Sequence, residues 1–203
     1  MSAIYSVGSV ILQGSINALG NVYIAAQVGG RRLTELFHMP GIALGASVAT
    51  YASQNFGANR RRRIVQGQWV ALAVYGVWWL FALAFTFTAA PTAIRFITGS
   101  TNPDVLKYAL LYLHVGIPMI PPMAVVVIVR NALQGMKHTI VPLICSTMEL
   151  VCKAVFGFKL VPMLGYPAVC ACEPVAWVIC MVFILAAAYA FRNDFKDTQE
   201  AQA

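Results

Sequence analysis

Between Arg63 and Arg95 the chain runs through QWVALAVYGVWWLFALAFTFTAAP without a charged residue. That stretch exceeds the ~20 apolar residues a helix needs to cross the hydrocarbon core of a bilayer. Comparable charge-free windows run from Met1 to Gly30, Met39 to Asn59, Tyr108 to Val129 and Pro174 to Phe191, and a weaker one from Ile140 to Pro162 is interrupted by Glu149 and Lys153. The repetition predicts an all-α integral membrane protein that crosses the membrane several times. A transmembrane barrel does not fit, because its strands alternate apolar and polar positions over ~10 residues, whereas these runs are apolar on every face. Helices are the spanning form that satisfies its own backbone in lipid.

Composition supports this reading. Hydrophobic residues make up 60% of the chain and charged residues 10%, with a mean hydropathy of +0.73, against roughly 25% charged residues in soluble domains. The formal charge of +7 does not point to nucleic acid, because the basic residues punctuate the hydrophobic runs instead of forming one polar face. Cys145, Cys152, Cys170, Cys172 and Cys180 lie in or beside the last two apolar segments, with no C-x-x-C spacing and no histidine cluster. They read as small buried apolar residues, with no metal expected. No Lys or Arg precedes Arg31, so the start lacks the basic region of a signal peptide. The chain begins within a hydrophobic helix, which leads us to expect a piece of a longer reading frame.

Splitting at polar and Gly/Pro clusters predicts six spans, near Ser2 to Ala18, Val22 to Phe56, Ile64 to Pro91, Tyr108 to Leu133, Thr139 to Leu160 and Val169 to Phe191. They make up one transmembrane unit over residues 1–191, followed by a short polar tail over 192–203. The second is long and contains Pro40, and the fourth contains Pro118, Pro121 and Pro122 between Gly116 and Pro122. Both are expected to kink. Lys and Arg collect after the second span (Arg60, Arg61, Arg62, Arg63), after the fourth (Arg130, Lys137) and in the tail (Arg192, Lys196). By the positive-inside rule that face, and both termini with it, is cytoplasmic in the cell membrane. The opposite face has Arg95, Lys107 and Lys159.

Three strings are more specific. ASQNFGANRRRRIVQG follows the second span, VRNALQGMKHTIVP joins the fourth and fifth, and STMELVCK is followed by EPVAW. In order and spacing they resemble the carboxy-terminal half of the multidrug and toxic compound extrusion transporters. The resemblance implies one lobe of a two-lobed transporter of about twelve helices, with the substrate cavity between the lobes near the membrane midplane. It also implies no enzymatic activity, and export of small, amphipathic, often cationic organic compounds in exchange for sodium ions or protons. The partners it implies are membrane lipid and a separate amino-terminal lobe. A flippase lobe for lipid-linked oligosaccharides, of the same superfamily, is the nearest alternative. A membrane-interaction fragment that transports nothing is another. An intramembrane protease built on Ser47 is less consistent with its stripe of small residues from Gly41 to Ala49, which suits helix packing. Carboxylates that some lineages place in the seventh and tenth helices have no counterpart here between Met1 and Gly30 or between Tyr108 and Val129.

Ionisable and amide groups within the spans are the candidate site residues, because they are unfavourable in lipid unless paired or facing a cavity. Glu149 and Lys153 are four apart, the order that favours an intrahelical ion pair; the resembling family has Glu and a basic residue at these ELV-x-(Lys/Arg) positions. Arg31 and Arg32 are spaced to reach Glu35, and Gln13 and Asn17 form an i, i+4 amide pair. Arg130, Asn131 and Gln134 end the fourth span. For cavity lining the selection is Gln13, Asn17, Arg32, Glu35, Asn131, Gln134, Glu149 and Lys153. Trp69, Trp78, Trp79, Tyr5, Tyr23 and Tyr112 are candidate aromatic contacts for a cation.

Overall fold

A computed structural model describes residues 2–191, and side chains from Ser6 onward. Tyr5, Arg192, Lys196 and the rest of the 192–203 tail therefore lie outside the described side chains. Among the described residues the chain is helical throughout, with no strand. The elements are α1 (Ser2–Leu19), α2 (Asn21–Gly57), α3 (Arg61–Thr88), α4 (Ala90–Thr98), α5 (Pro103–Gly116), α6 (Ile120–Gly135), α7 (Ile140–Val155), α8 (Val161–Leu164) and α9 (Tyr166–Ala190).

Four stretches are long and apolar enough to cross a membrane: Arg61–Thr88, Pro103–Gly135, Ile140–Leu164 and Tyr166–Ala190. The sequence reading expected six. The other two are α1, diluted by Gln13, Asn17 and serines, and α2, which carries Gln27, Arg31, Arg32, Glu35 and His38. At 37 residues α2 is roughly 55 Å long, well beyond a ~30 Å bilayer core. The apolar skin expected of a lipid-facing helix is plainest on α3, where Trp69, Val70, Val77 and Phe87 are all exposed.

The proline cluster of the fourth span interrupts the α-helix, whereas Pro40 lies within the continuous α2. Pro121 lacks the N–H that would bond the carbonyl of Ile117, and the chain passes through a short 3-10 turn at Ile117–Met119 in which Ile120 N–H bonds that carbonyl; Trp79 Nε1 donates to it as well, at 3.0 Å. Three residues before Pro40, the carbonyl of Phe37 accepts from Trp78 Nε1 at 3.1 Å and from Tyr75 Oη at 3.2 Å. Trp78 and Trp79 are thus α3's anchors to α2 and to the α5–α6 junction, not free walls of a drug cavity. In the wide turn at Phe156–Leu160 the carbonyl of Gly157 accepts from Ser15 Oγ at 2.7 Å. Such cross-helix bonds to backbone carbonyls suit a bundle in lipid, where no water is present to pair them.

Small residues let helices approach. A Cβ on Gly41 would sit 2.7 Å from Tyr75, and one on Gly45 would sit 2.8 Å from Asn131 Nδ2. So α2 lies directly against α3 and α6, and Tyr75 is almost completely buried.

The two ends of the bundle are distinct. Phe56, Ile64, Met136 and Phe191 share one apolar cluster, and His138 packs on Phe191 at 4.3 Å between ring centroids. This places the Arg60–Arg63 segment, the Lys137 loop and the end of α9 together, as their shared basic character anticipated. At the other end Tyr23, Tyr108 and Tyr166 meet, with ring centroids 4.7 to 5.5 Å apart, and Lys107 lies over Tyr108.

Candidate functional site: a charged cleft between four helices

The cavity richest in charged and amide groups is a cleft of about 570 Å3 walled by α2, α6, α7 and α9, with Ser6 of α1 at its edge; an apolar groove of about 590 Å3 lies on the outer face of α7 and α9. Each wall is one helix face repeated at three- and four-residue spacing. His38 and Ile42 come from α2, Val127, Arg130, Asn131 and Gln134 from α6, Ser146 and Glu149 from α7, and Glu173 and Trp177 from α9. The cleft is therefore apolar with a few charged and amide groups directed into it, the usual make-up of a small-molecule site.

Three of the eight selected residues meet there: Asn131, Gln134 and Glu149. Asn131 is held by its own helix, Nδ2 donating to the carbonyl of Val127 at 2.8 Å. Glu149 is partly buried and lies in the fields of Arg130 and Lys153.

Lys153, expected beside Glu149, also meets a carboxylate of another helix. It is 3% exposed, and its Nζ lies 3.9 Å from Oε1 of Glu173 on α9, while Glu149 lies within its field. The other oxygen of Glu173 accepts from Tyr112 Oη at 3.2 Å. Lys153 points into the bundle, where burial favours a cross-helix carboxylate, and Glu149 lines the cleft. Glu173 thus joins α5, α7 and α9.

The remaining candidates lie elsewhere. Arg31 Nε and Glu35 Oε1 pair at 2.9 Å, as the spacing predicted. Both are well exposed and, with Arg32, Gln13 and Gln27, line a separate hollow of about 240 Å3. Gln13 Nε2 donates to Asn17 Oδ1 at 3.0 Å, confirming the amide pair, but Asn17 is exposed outside the cleft. Arg61 lies 5.0 Å from the ring centroid of Phe56, and Arg62 and Arg63 are exposed. Ser47 donates to the carbonyl of Ala43 in its own helix, the bond of a packing serine.

Sequence reasoning missed His38, Glu173 and Trp177. His38 sits edge-on to Trp177, ring centroids 5.4 Å apart, and its buried Nε2 has no partner among the described residues. Glu173 and Trp177 stand inside the string EPVAW, and their four-residue spacing was the available signal. Of the proposed aromatic contacts, Tyr112 serves Glu173 and Trp69 is exposed outside the cleft.

Apolar helices of membrane length enclosing a charged cleft are the build of a multi-pass membrane protein. The chain belongs to the MatE family, whose model matches residues 1–158, and so carries a domain of a transporter family. It is similar to a FAD transporter of Shewanella oneidensis, 26% identical over 152 residues, covering 74% of this chain and 33% of the relative. The chain thus aligns with about a third of the length of that curated relative. No solved structure gives a significant match.

Proposed function

We propose that these residues form the carboxy-terminal six-helix lobe of a secondary antiporter that exports amphipathic, often cationic organic compounds in exchange for sodium ions or protons. In this reading α1 and α2 cross the membrane together with the four strongly apolar stretches, and an amino-terminal lobe closes the cleft. The observation that carries the proposal is Glu149: a carboxylate on the wall of a largely apolar cleft, across from the aromatic pair His38 and Trp177. A carboxylate beside an aromatic face suits a lipophilic cation, and the same carboxylate can be neutralised by a proton or an inward-moving ion. Exchange follows if the two cargoes compete for it.

A second reading rests on the same cleft. Arg130 and Gln134 beside Trp177 could receive an anionic, aromatic dinucleotide, and the relative named for FAD transport gives that reading weight. The separating experiment is export by the full-length transporter bearing Glu149→Gln or Arg130→Gln, measured with a lipophilic cationic dye and with FAD. Cation export predicts that Glu149→Gln abolishes dye export. If Arg130→Gln alone matters and only FAD moves, the second reading replaces the first.

A further inference from the structure

One side-chain cluster, which shares Glu149 with the cleft, has the chemistry of a metal site. Cys145 and Glu149 are four apart on α7 and therefore share a face, and Cys180 of α9 crosses against that face. The two sulfurs and a carboxylate oxygen of Glu149 all lie within 4.8 Å of one another. Both cysteines are completely buried, and Cys180 Sγ donates only a long bond, 3.6 Å, to the carbonyl of Cys145.

We propose that Cys145, Glu149 and Cys180 form a three-donor site for a thiophilic divalent cation, with Zn2+ its physiological member. Tetrahedral zinc with Zn–S of ~2.3 Å and Zn–O of ~2.0–2.2 Å places neighbouring donors roughly 3.5 to 3.8 Å apart. The observed spacing needs about an ångström of closure, within the reach of side-chain rotation. The charge balances as well: two thiolates and a carboxylate carry three negative charges, which the cation and the nearby Arg130 cancel. Binding breaks two S–H bonds, forms two metal–sulfur bonds and releases two protons to the cleft water. Glu149 lines the cleft, which supplies an entry path and leaves the fourth coordination position open on that side. Soft sulfur donors select zinc-like cations over sodium or magnesium, so a bound zinc would compete for the Glu149 carboxylate with the coupling ion and the cation of the proposed function. An occupied site fastens α7 to α9.

The test uses the full chain, purified in detergent with a chelator and titrated with Co2+ and Cd2+. We expect one ion per chain, a tetrahedral cobalt spectrum with thiolate-to-metal charge transfer, competition by Zn2+, and release of two protons per ion bound. Cys145→Ser and Cys180→Ser should each cut the charge-transfer band by at least half, the double variant should abolish it, and Cys180→His should keep tetrahedral cobalt with an altered spectrum. Helical content and elution volume identify any variant that fails to fold, and proton release by the wild-type chain is an independent readout. Absence of a thiolate band in the wild-type chain, or a band unchanged by Cys145→Ser, overturns the proposal.

Discussion

Lys153 and Glu173 face each other from α7 and α9, Nζ to Oε1 3.9 Å, with the lysine buried and Tyr112 donating to the same carboxylate. Two helices close in the chain but separate in their apolar surroundings are joined by a charge pair that neither could hold alone in lipid. The glutamate also borders the cleft, so the pair links lobe packing to the site.

Removing one partner leaves a buried charge, at ~3–5 kcal/mol for a buried pair. Lys153→Met and Glu173→Gln should each lower membrane expression and thermal stability, and the double variant should recover much of the loss. The measurement is fluorescence-detected elution before and after heating. Recovery by Glu149→Gln with Lys153→Met, but not by the Glu173 combination, would return Lys153 to Glu149.

Trp79 Nε1 donates to the carbonyl of Ile117, which also accepts from the backbone N–H of Ile120 in the 3-10 turn. Trp79→Phe should destabilise the protein by ~0.5–1.5 kcal/mol, the net value of one hydrogen bond. In a Pro121→Ala background, where the helix supplies its own donor, the same substitution should cost less. Equal losses in both backgrounds would show that Trp79 acts by bulk alone.

Gly41→Ala should destabilise the α2–α3 contact by ~1–3 kcal/mol, because the added carbon meets Tyr75 at 2.7 Å. A shorter side chain, Tyr75→Leu, should make the alanine nearly neutral. Thermal melting of the four-member cycle measures this coupling.

The basic loops define a testable orientation. Cysteines replacing Asn59 or Lys137, both in turns at the basic end with φ of 55° and 71°, should stay unlabelled when an impermeant thiol reagent is added outside intact cells. A cysteine replacing Thr101, in the exposed α4–α5 loop, should label. The reverse pattern inverts the positive-inside assignment.

Much of this was legible in the sequence because lipid imposes a simple rule: charge-free length means a span, and proline within it means a break. The break in the fourth span, the Gln13–Asn17 bond and the Arg31–Glu35 pair followed from proline and from spacing along one helix, while the fourth span begins at Pro103, earlier than the expected Tyr108, Ala90–Thr98 is a helix of its own and α2 runs unbroken through Pro40. What spacing cannot convey is which neighbour a side chain meets. Lys153 has Glu149 four residues away, yet it also meets Glu173, twenty positions on, because the face of α7 that carries the lysine is packed against α9. The same limit hid the cysteine pair: Cys145 and Cys180 form no sequence motif and come together only when α7 and α9 do. Gln13, Arg32 and Glu35 were chosen as polar groups in apolar surroundings, but α1 and α2 turn them to a separate hollow.

The central claim is that this lobe supplies one wall of an ion-coupled exporter whose other wall is an amino-terminal lobe. Reconstituting the chain in liposomes with and without such a lobe, then following a lipophilic cationic dye under an imposed sodium or proton gradient, tests it most directly. The account predicts gradient-driven dye movement only when both lobes are present, abolished by Glu149→Gln. Gradient-driven transport by the chain alone as a monomer, or dye movement by the paired lobes that is indifferent to both gradients, would contradict it.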